Sequence, residues 1–96
     1  MVIYDQRFEF PIHTKEIVHA NILEVKAGTT GYCGGDTGHG GKTYFSIRDL
    51  GGTDITVNLI DGGFEVVLGG DAELATIIKA LKYIKKKLEV DSNEAV

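Results

Sequence analysis

The fold of this chain is decided by the stretch from Thr43 to Leu88, which reads TYFSIRDLGGTDITVNLIDGGFEVVLGGDAELATIIKALKYIKKKL. In its first half, apolar and polar residues alternate with a period of two, which is typical of half-buried strands. Gly51-Gly52 marks one turn between these strands. Asp61-Gly62 marks the next, because this pair favours a type I′ hairpin turn. The first half therefore predicts three antiparallel strands in a meander.

The second half of the stretch has the pattern of an amphipathic helix. Gly69-Gly70 ends the last strand, and Asp71 is a favourable N-cap residue. Apolar residues then recur at spacings of three and four, at Leu74, Ile77, Ile78, Leu81, Ile84 and Leu88. This periodicity predicts one C-terminal helix packed on one face of the sheet. Residues 91–96 are polar and predict a flexible tail.

Two more strands are predicted upstream. Residues 2–10 alternate with a period of two, and Pro11 is expected to end that strand because proline has no backbone donor. A second strand is predicted from about Ile17 to Ala27. The expected fold is α+β, with a five-stranded, mainly antiparallel sheet and one C-terminal helix, in a single domain over residues 1–90.

The composition restricts the class of protein. The chain has 96 residues, a formal net charge of -4 and one cysteine, Cys33. This length has room for one domain, and one cysteine cannot form an intramolecular disulfide. The short apolar runs predict no membrane span, and the net negative charge argues against a broad nucleic-acid-binding surface. We expect a cytoplasmic protein, because no export sequence is recognisable at the start.

A glycine-rich segment at residues 28–42, GTTGYCGGDTGHGGK, holds seven of the 13 glycines. Most connections between strands are about two to six residues long, so a connection of this length is either functional or mobile. Successive glycine N–H groups can converge on an anion, which favours a phosphate-bearing ligand. One helix covers only one face of a sheet, so the other, polar face is open to a ligand or a second copy of the chain.

Two phosphate-binding motifs fail on inspection of this segment. Gly41-Lys42-Thr43 resembles the end of a P-loop, but Asp36 stands where the first glycine is required, and a strand follows instead of a helix. The dinucleotide motif GxGxxG also fails, since Gly38-x-Gly40 is not followed by the third glycine. Neither an ATPase nor a dinucleotide-binding fold is predicted.

Metal binding and nucleophilic catalysis are weaker interpretations of the same segment. Cys33, Asp36 and His39 could be metal ligands, but the paired cysteines or histidines that are typical of zinc sites are missing. Cys33 and His39 could form a nucleophile and its base, but no third orienting group is recognisable. No catalytic residue, metal ligand or cofactor is therefore predicted.

The sequence predicts instead a ligand site shared by the glycine-rich segment and the open sheet face. Lys42 and Arg48 would neutralise phosphate, and Tyr44 or Tyr32 would stack on a base. Asp36 or Asn58 would read base or ribose hydrogens. The predicted ligand-binding residues are Tyr32, Gly34, Gly35, Asp36, Gly38, His39, Gly40, Gly41, Lys42, Tyr44, Arg48 and Asn58.

The string GTTGYCGGDTGHGGKTYF at 28–45, followed by a meander and the helix GGDAELATIIKALKYI at 69–84, resembles short proteins encoded by phages and prophages of Gram-positive bacteria. Some of these are similar in scale and oligomeric habit to anti-defence sponges, which sequester the cyclic nucleotide signals of bacterial immunity. The resemblance implies a homo-oligomer in a bacterial host cell, with loops from neighbouring subunits closing over the ligand. It carries over no individual residue.

Three hypotheses follow. The first is a non-enzymatic binder of a small phosphorylated ligand derived from a nucleotide. The second is a protein-interaction module that inhibits a host enzyme or nuclease through its acidic surface or a sheet edge. The third is a hydrolase that uses Cys33 and His39.

Overall fold

The structure, a computed structural model, describes residues 1–92 as six strands followed by one helix. The elements are β1 (Val2–Tyr4), β2 (Pro11–Val18), β3 (Ile22–Thr29), β4 (Thr43–Gly51), β5 (Ile55–Ile60), β6 (Gly63–Leu68) and α1 (Asp71–Asp91). The predicted α+β class with a single C-terminal helix and antiparallel sheets is confirmed. Residues 93–96 of the predicted tail lie outside the described residues.

Strands β1 to β4 form one antiparallel sheet in the order β1-β2-β3-β4. Strand β3 is central, and its side chains on the helix face, Leu23, Val25 and Ala27, are fully buried. Helix α1 lies over this face and places Ala80 and Ile84 in the same core. Burial of apolar side chains between one sheet and one helix is thus the main source of stability.

The remaining residues of the core belong to β2 and β4, the strands on either side of β3, and to helix α1. Ile17 completes the buried cluster, and partly buried side chains surround it, namely Ile47, Ile77, Tyr83 and Leu88. At the end of the helix, His13 Nε2 lies 2.9 Å from Asp91 Oδ2. The helix is therefore attached to β2 at its C-terminus as well as packed on β3.

The prediction of one strand over residues 2–10 is wrong, because the chain turns after Tyr4. The Asp5 carboxylate accepts a hydrogen bond from the Arg7 backbone N–H at 2.9 Å. The Phe8 N–H donates to the Asp5 carbonyl at 3.0 Å. Pro11 begins β2 instead of ending a strand, and it pairs with Tyr4. Proline is tolerated at the first residue of a strand, where its missing N–H costs no ladder bond.

The prediction of one strand from Ile17 to Ala27 is also wrong. The chain reverses between Val18 and Ile22, so that these two residues pair across β2 and β3. The turn is held by a hydrogen bond from the His19 N–H to the Asn21 carbonyl at 2.9 Å. The apolar residues on either side of the turn hide this break from a periodicity analysis.

The predictions of a single five-stranded sheet and of a three-strand meander after Thr43 are wrong. Strands β5 and β6 form a separate two-stranded sheet, and β4 has no partner among residues 1–92 other than β3. After β4 the chain runs to the start of the helix, where the Asp54 N–H donates to Glu73 Oε2 at 3.1 Å. Gly52, with φ +71°, makes the bend that carries the chain away from the sheet.

The predicted hairpin turn at Asp61-Gly62 is confirmed. Ile60 and Gly63 pair on either side of it, and Gly62 has φ +77°. The predicted N-cap is displaced by one residue, because Gly70 is the N-cap and Asp71 is the first helical residue. Among the described residues, no helix combines the length and the apolar character needed to cross a membrane.

Candidate functional site

The glycine-rich segment is the loop between the paired strands β3 and β4, and hydroxyl groups close its base. Thr29 Oγ1 donates to the Lys42 carbonyl at 3.0 Å and lies 2.9 Å from Thr43 Oγ1. The Thr30 N–H donates to the same Lys42 carbonyl at 3.0 Å, and the Lys42 N–H donates to Thr30 Oγ1 at 3.0 Å. These bonds fix the two ends of the loop on the sheet.

Glycine is required inside the loop for conformation and for close approach. Gly34, Gly38 and Gly40 have φ of +77°, +82° and +89°, a region that favours glycine. A Cβ atom on Gly35 would lie 2.8 Å from the backbone nitrogen of Gly40, which real Cβ contacts do not allow. The two arms of the loop therefore touch through their backbones, and the loop is a folded element.

The loop forms one wall of a cavity of about 750 Å³, and the C-terminal end of α1 forms the facing wall. A volume of this size suits a ligand with the dimensions of a drug or a nucleotide. The loop residues that line it are Gly31, Tyr32, Cys33, Gly34, Gly35, Asp36 and Gly41. The sheet and the helix add Thr29, Thr43, Leu88, Glu89 and Ser92.

The cavity wall offers backbone donors, two carboxylates and one aromatic ring. Asp36 and Glu89 supply the carboxylates, and the Tyr32 side chain is 79% exposed beside them. Within residues 1–92, the N–H groups of Gly34 and Gly35 donate no hydrogen bond. An oxygen-rich ligand would give these N–H groups their acceptors, and its hydroxyl or N–H groups would donate to the carboxylates.

The structure brings part of the predicted site together. Five of the predicted residues line the cavity, namely Tyr32, Gly34, Gly35, Asp36 and Gly41. Gly38, His39 and Gly40 belong to the same loop but do not line the cavity; the His39 N–H donates to the Asp36 carbonyl at 2.7 Å. Lys42 stands at the base of the loop, with its side chain exposed.

The other three predicted residues lie elsewhere. Tyr44 and Arg48 point to the face of β4 opposite Thr43, because successive strand residues alternate between faces. Arg48 also lies five residues along the strand from Thr43, roughly 17 Å at a rise of about 3.4 Å per residue. Its Nη2 donates to Glu24 Oε2 at 3.2 Å. Asn58 belongs to β5, in the separate sheet.

Tyr44 sits in an aromatic and ionic cluster on the face away from the helix. Its ring centroid lies 4.7 Å from that of Phe8, and the Arg7 guanidinium carbon lies 5.5 Å above it. The hydrogen bond from Arg7 lowers the pKa of Asp5 to about 2, and the same bond raises the pKa of Arg7. Internal contacts therefore occupy much of the Tyr44 ring, whereas Tyr32 is open to a ligand.

Two weaker interpretations find no supporting geometry. The Cys33 thiol has Thr30 Oγ1 and the Gly31 carbonyl as neighbours at 3.6 Å, and no hydrogen bond joins it to His39 in residues 1–92. In the same part of the chain, no group of three or more His, Cys, Asp or Glu side chains is close enough to hold a metal ion.

The helix side of the cavity is not predictable from the sequence. Leu88, Glu89 and Ser92 line it because α1 extends past β3 to the loop. Nothing in the sequence near Glu89 indicates this role, since it depends on the length of the helix and on where the sheet places the loop. The alternation of Thr43 and Tyr44 along β4 indicates, however, that only one of them can face the cavity.

A second, basic concavity lies on the other side of the helix. It has a volume of about 540 Å³ and is lined by Lys15, Glu16, Ile17, Val18, Lys79, Lys82, Tyr83, Lys86 and Lys87. The ammonium groups of Lys15 and Lys87 lie 5.6 and 5.5 Å from the centroid of the Tyr83 ring. This cleft provides an internal control for any test of anion binding at the glycine-rich loop.

The chain matches no protein-family model and has no significant match among curated proteins or solved structures.

Proposed function

We propose that this protein is a non-enzymatic binder that captures a small phosphorylated ligand derived from a nucleotide, as the resemblance to phage anti-defence proteins implies. The observation that carries the proposal is the cavity between the glycine-rich loop and the end of α1, with backbone N–H groups unused in its wall. We propose further that the protein acts as a homo-oligomer in the cytoplasm.

Each chemical group of such a ligand has a partner in or near the cavity wall. Phosphate oxygens accept hydrogen bonds from the N–H groups of Gly34 and Gly35. Lys42 is the one lysine of the glycine-rich segment, but it does not line the cavity, so its charge acts on the phosphate from a distance. Asp36 and Glu89 accept hydrogen bonds from ribose hydroxyls or base N–H groups. The base stacks on Tyr32, an interaction of about 1 to 3 kcal/mol. No step requires a nucleophile or a general base.

A second candidate function is a protein-interaction module that inhibits an enzyme or nuclease. It is favoured by a specific observation, the large apolar side chains that β5 and β6 expose, such as Leu59 at 90%. Contiguous exposed apolar surface marks interaction sites in soluble proteins. The two candidates differ in the region of the molecule that they require.

The test is thermal unfolding of the purified protein against a panel of mono-, di- and cyclic nucleotides and ADP-ribose isomers. A ligand at 100 times its dissociation constant stabilises the fold by about 2.7 kcal/mol. A domain of this size responds with a shift of about 4 to 8 °C per kcal/mol. The bound ligand is then recovered: an intact ligand supports a binder, and a cleaved ligand supports the hydrolase hypothesis.

Matched variants locate the site. Lys42→Ala is expected to weaken binding of the stabilising ligand only modestly, because Lys42 is the one cation of the loop but does not line the cavity. Arg48→Ala removes a cation on the opposite face and is expected to leave the affinity unchanged. If Lys86→Ala abolishes binding while Lys42→Ala does not, the basic cleft is the site and the proposal is wrong. A panel without any shift also contradicts it.

A further inference from the structure

The hairpin of β5 and β6 has one entirely apolar face. Its register pairs Ile55 with Leu68, Val57 with Val66 and Leu59 with Phe64, so these side chains lie on the same face. The other face carries Thr56, Asn58, Ile60, Glu65 and Val67 and is mixed in polarity. Leu59 is 90% exposed, Val57 58% and Phe64 54%. This face is built like the inner face of a sandwich, and no sheet or helix of residues 1–92 lies on it.

A two-stranded hairpin with such a face is not stable by itself in water. Independent stability requires a third strand, or packing against another element. Phe64 has one aromatic neighbour in residues 1–92, Phe45 on β4, with ring centroids 6.5 Å apart. Phe45 is itself 46% exposed. The apolar surface therefore continues from the hairpin onto the edge of the main sheet and remains open to solvent.

The helix has an exposed apolar flank on the same side of the molecule. Leu74, Ile78 and Leu81 are 58%, 44% and 53% exposed, and they fall within about 60° of arc around the helix. Tyr83 lies on the opposite flank, next to Lys15 of β2. Because β2 and β4 lie on either side of β3, the apolar flank faces the side of β4.

The charges of the two apolar regions are opposite. From Asp54 to Leu68, the segment that contains the hairpin, the chain has three carboxylates and no lysine or arginine. From Lys79 to Lys87 it has five lysines and no carboxylate. Lys82 and Lys85 lie one helical turn after Ile78 and Leu81 and border the apolar flank. Lys82 also lines the cleft beside Tyr83, together with Lys79, Lys86 and Lys87. The hairpin and this border of the flank therefore match in apolarity and in charge, and each copy of the chain carries both.

We infer that the apolar face of the β5–β6 hairpin packs on the exposed flank of α1 of a second copy of this chain. A two-fold pair makes this contact twice, and each contact brings acidic residues of one copy close to lysines of the other. The pairing buries the face that leaves the isolated hairpin unstable. It rests on the proposed homo-oligomer and names its interface, but it requires no ligand, so it can fail while the proposed ligand binding holds.

The first test is sedimentation equilibrium of matched valine variants. Val57 and Val67 are 58% and 57% exposed and lie on opposite faces of the hairpin. The wild-type protein is expected to sediment at a multiple of its 10.4 kDa chain mass. Val57→Asp is expected to weaken association roughly tenfold or more, and Val67→Asp to leave it unchanged. A monomeric wild type, or equal effects of the two variants, overturns the inference.

The second test covers the possibility that Val57→Asp disrupts the hairpin itself. Leu59→Cys and Ile78→Cys are prepared separately in a Cys33→Ser background, one of them isotopically labelled, then mixed and mildly oxidised. A disulfide between the labelled and unlabelled chains is expected. Val67→Cys mixed with Ile78→Cys is the control and is expected to give none. Absence of the mixed Leu59→Cys product, or an equal yield from the control, contradicts the hairpin-to-helix contact.

Discussion

Gly35 and Gly40 lie backbone to backbone across the glycine-rich loop, so closely that a Cβ atom on Gly35 would be 2.8 Å from the nitrogen of Gly40 and 2.9 Å from the carbonyl carbon of His39. The atoms in the way are main-chain atoms, which cannot rotate aside as a flexible side chain does. The folded shape of the loop therefore depends on the absence of a side chain at this position.

Gly35→Ala is expected to open the loop without unfolding the domain, because the contact lies outside the core. Limited proteolysis between Gly31 and Lys42 should become faster, and ligand affinity should fall with the loss of the cavity wall. Gly51→Ala is the matched control, since its Cβ atom would meet nothing within 4 Å. Equal protease sensitivity of the two variants would show that the loop is already open in solution.

Gly28→Ala is expected to destabilise the whole domain. A Cβ atom at this position would lie 2.7 Å from the Pro11 carbonyl oxygen and 2.8 Å from Cδ1 of Ile12. Ile12 is only 1% exposed, so it cannot move aside into solvent. Overpacking of this kind costs about 1 to 3 kcal/mol, which chemical denaturation measures directly. If the free energy of unfolding of Gly28→Ala lay within a few tenths of a kcal/mol of that of Gly51→Ala, the close packing of β2 on β3 would be contradicted.

Thr76→Val is expected to leave part of a buried polar network without a partner. Thr76 Oγ1 accepts a hydrogen bond from Asn21 Nδ2 at 3.0 Å and donates to the Glu73 carbonyl at 3.0 Å. Asn21 and Thr76 are 1% and 0% exposed. Loss of the hydroxyl should cost about 1 to 3 kcal/mol, whereas Thr76→Ser, which keeps it, should retain most of the stability. Equal destabilisation by both variants would assign the cost to packing instead.

Tyr83 is expected to make the stability of the protein fall in alkaline solution. Burial raises the pKa of Tyr83 above its ordinary value of 10.0. At pH values below 10.0, the phenol is protonated in both the folded and unfolded states and has no effect. Above it, the unfolded chain releases the proton first, so stability declines as the pH rises through the folded-state pKa. The measurement is the free energy of unfolding against pH, with Tyr83→Phe expected to show a shallower decline.

The elements that were predicted correctly are those whose conformation depends on residues close together in the sequence. The Asp61-Gly62 turn and the spacing of Ile77, Ile84 and Leu88 follow from the conformational preferences of neighbouring residues. The errors have non-local causes. Whether Gly51-Gly52 continues a meander or releases a hairpin depends on Glu73, which receives the Asp54 N–H from far along the chain.

The same distinction applies to the candidate site. The loop could be singled out from the sequence because one long connection holds seven of the 13 glycines. Glu89 was missed because its position opposite the loop depends on the helix length and the sheet register together. Arg48 and Asn58 were grouped with the loop on the assumption of one continuous sheet, and the separation of β5 from β4 removes that assumption.

The hydroxyl bonds of Thr29 and Thr30 at the base of the loop have an evolutionary consequence. They close the connection between β3 and β4 through residues outside its tip, residues 32–41, so we expect the sheet to stay intact when the tip changes. Selection on the proposed ligand site would then act on the tip without new demands on folding. In engineering terms, we expect that residues 32–41 can be replaced by a different loop sequence while the four-stranded sheet and the helix stay unchanged.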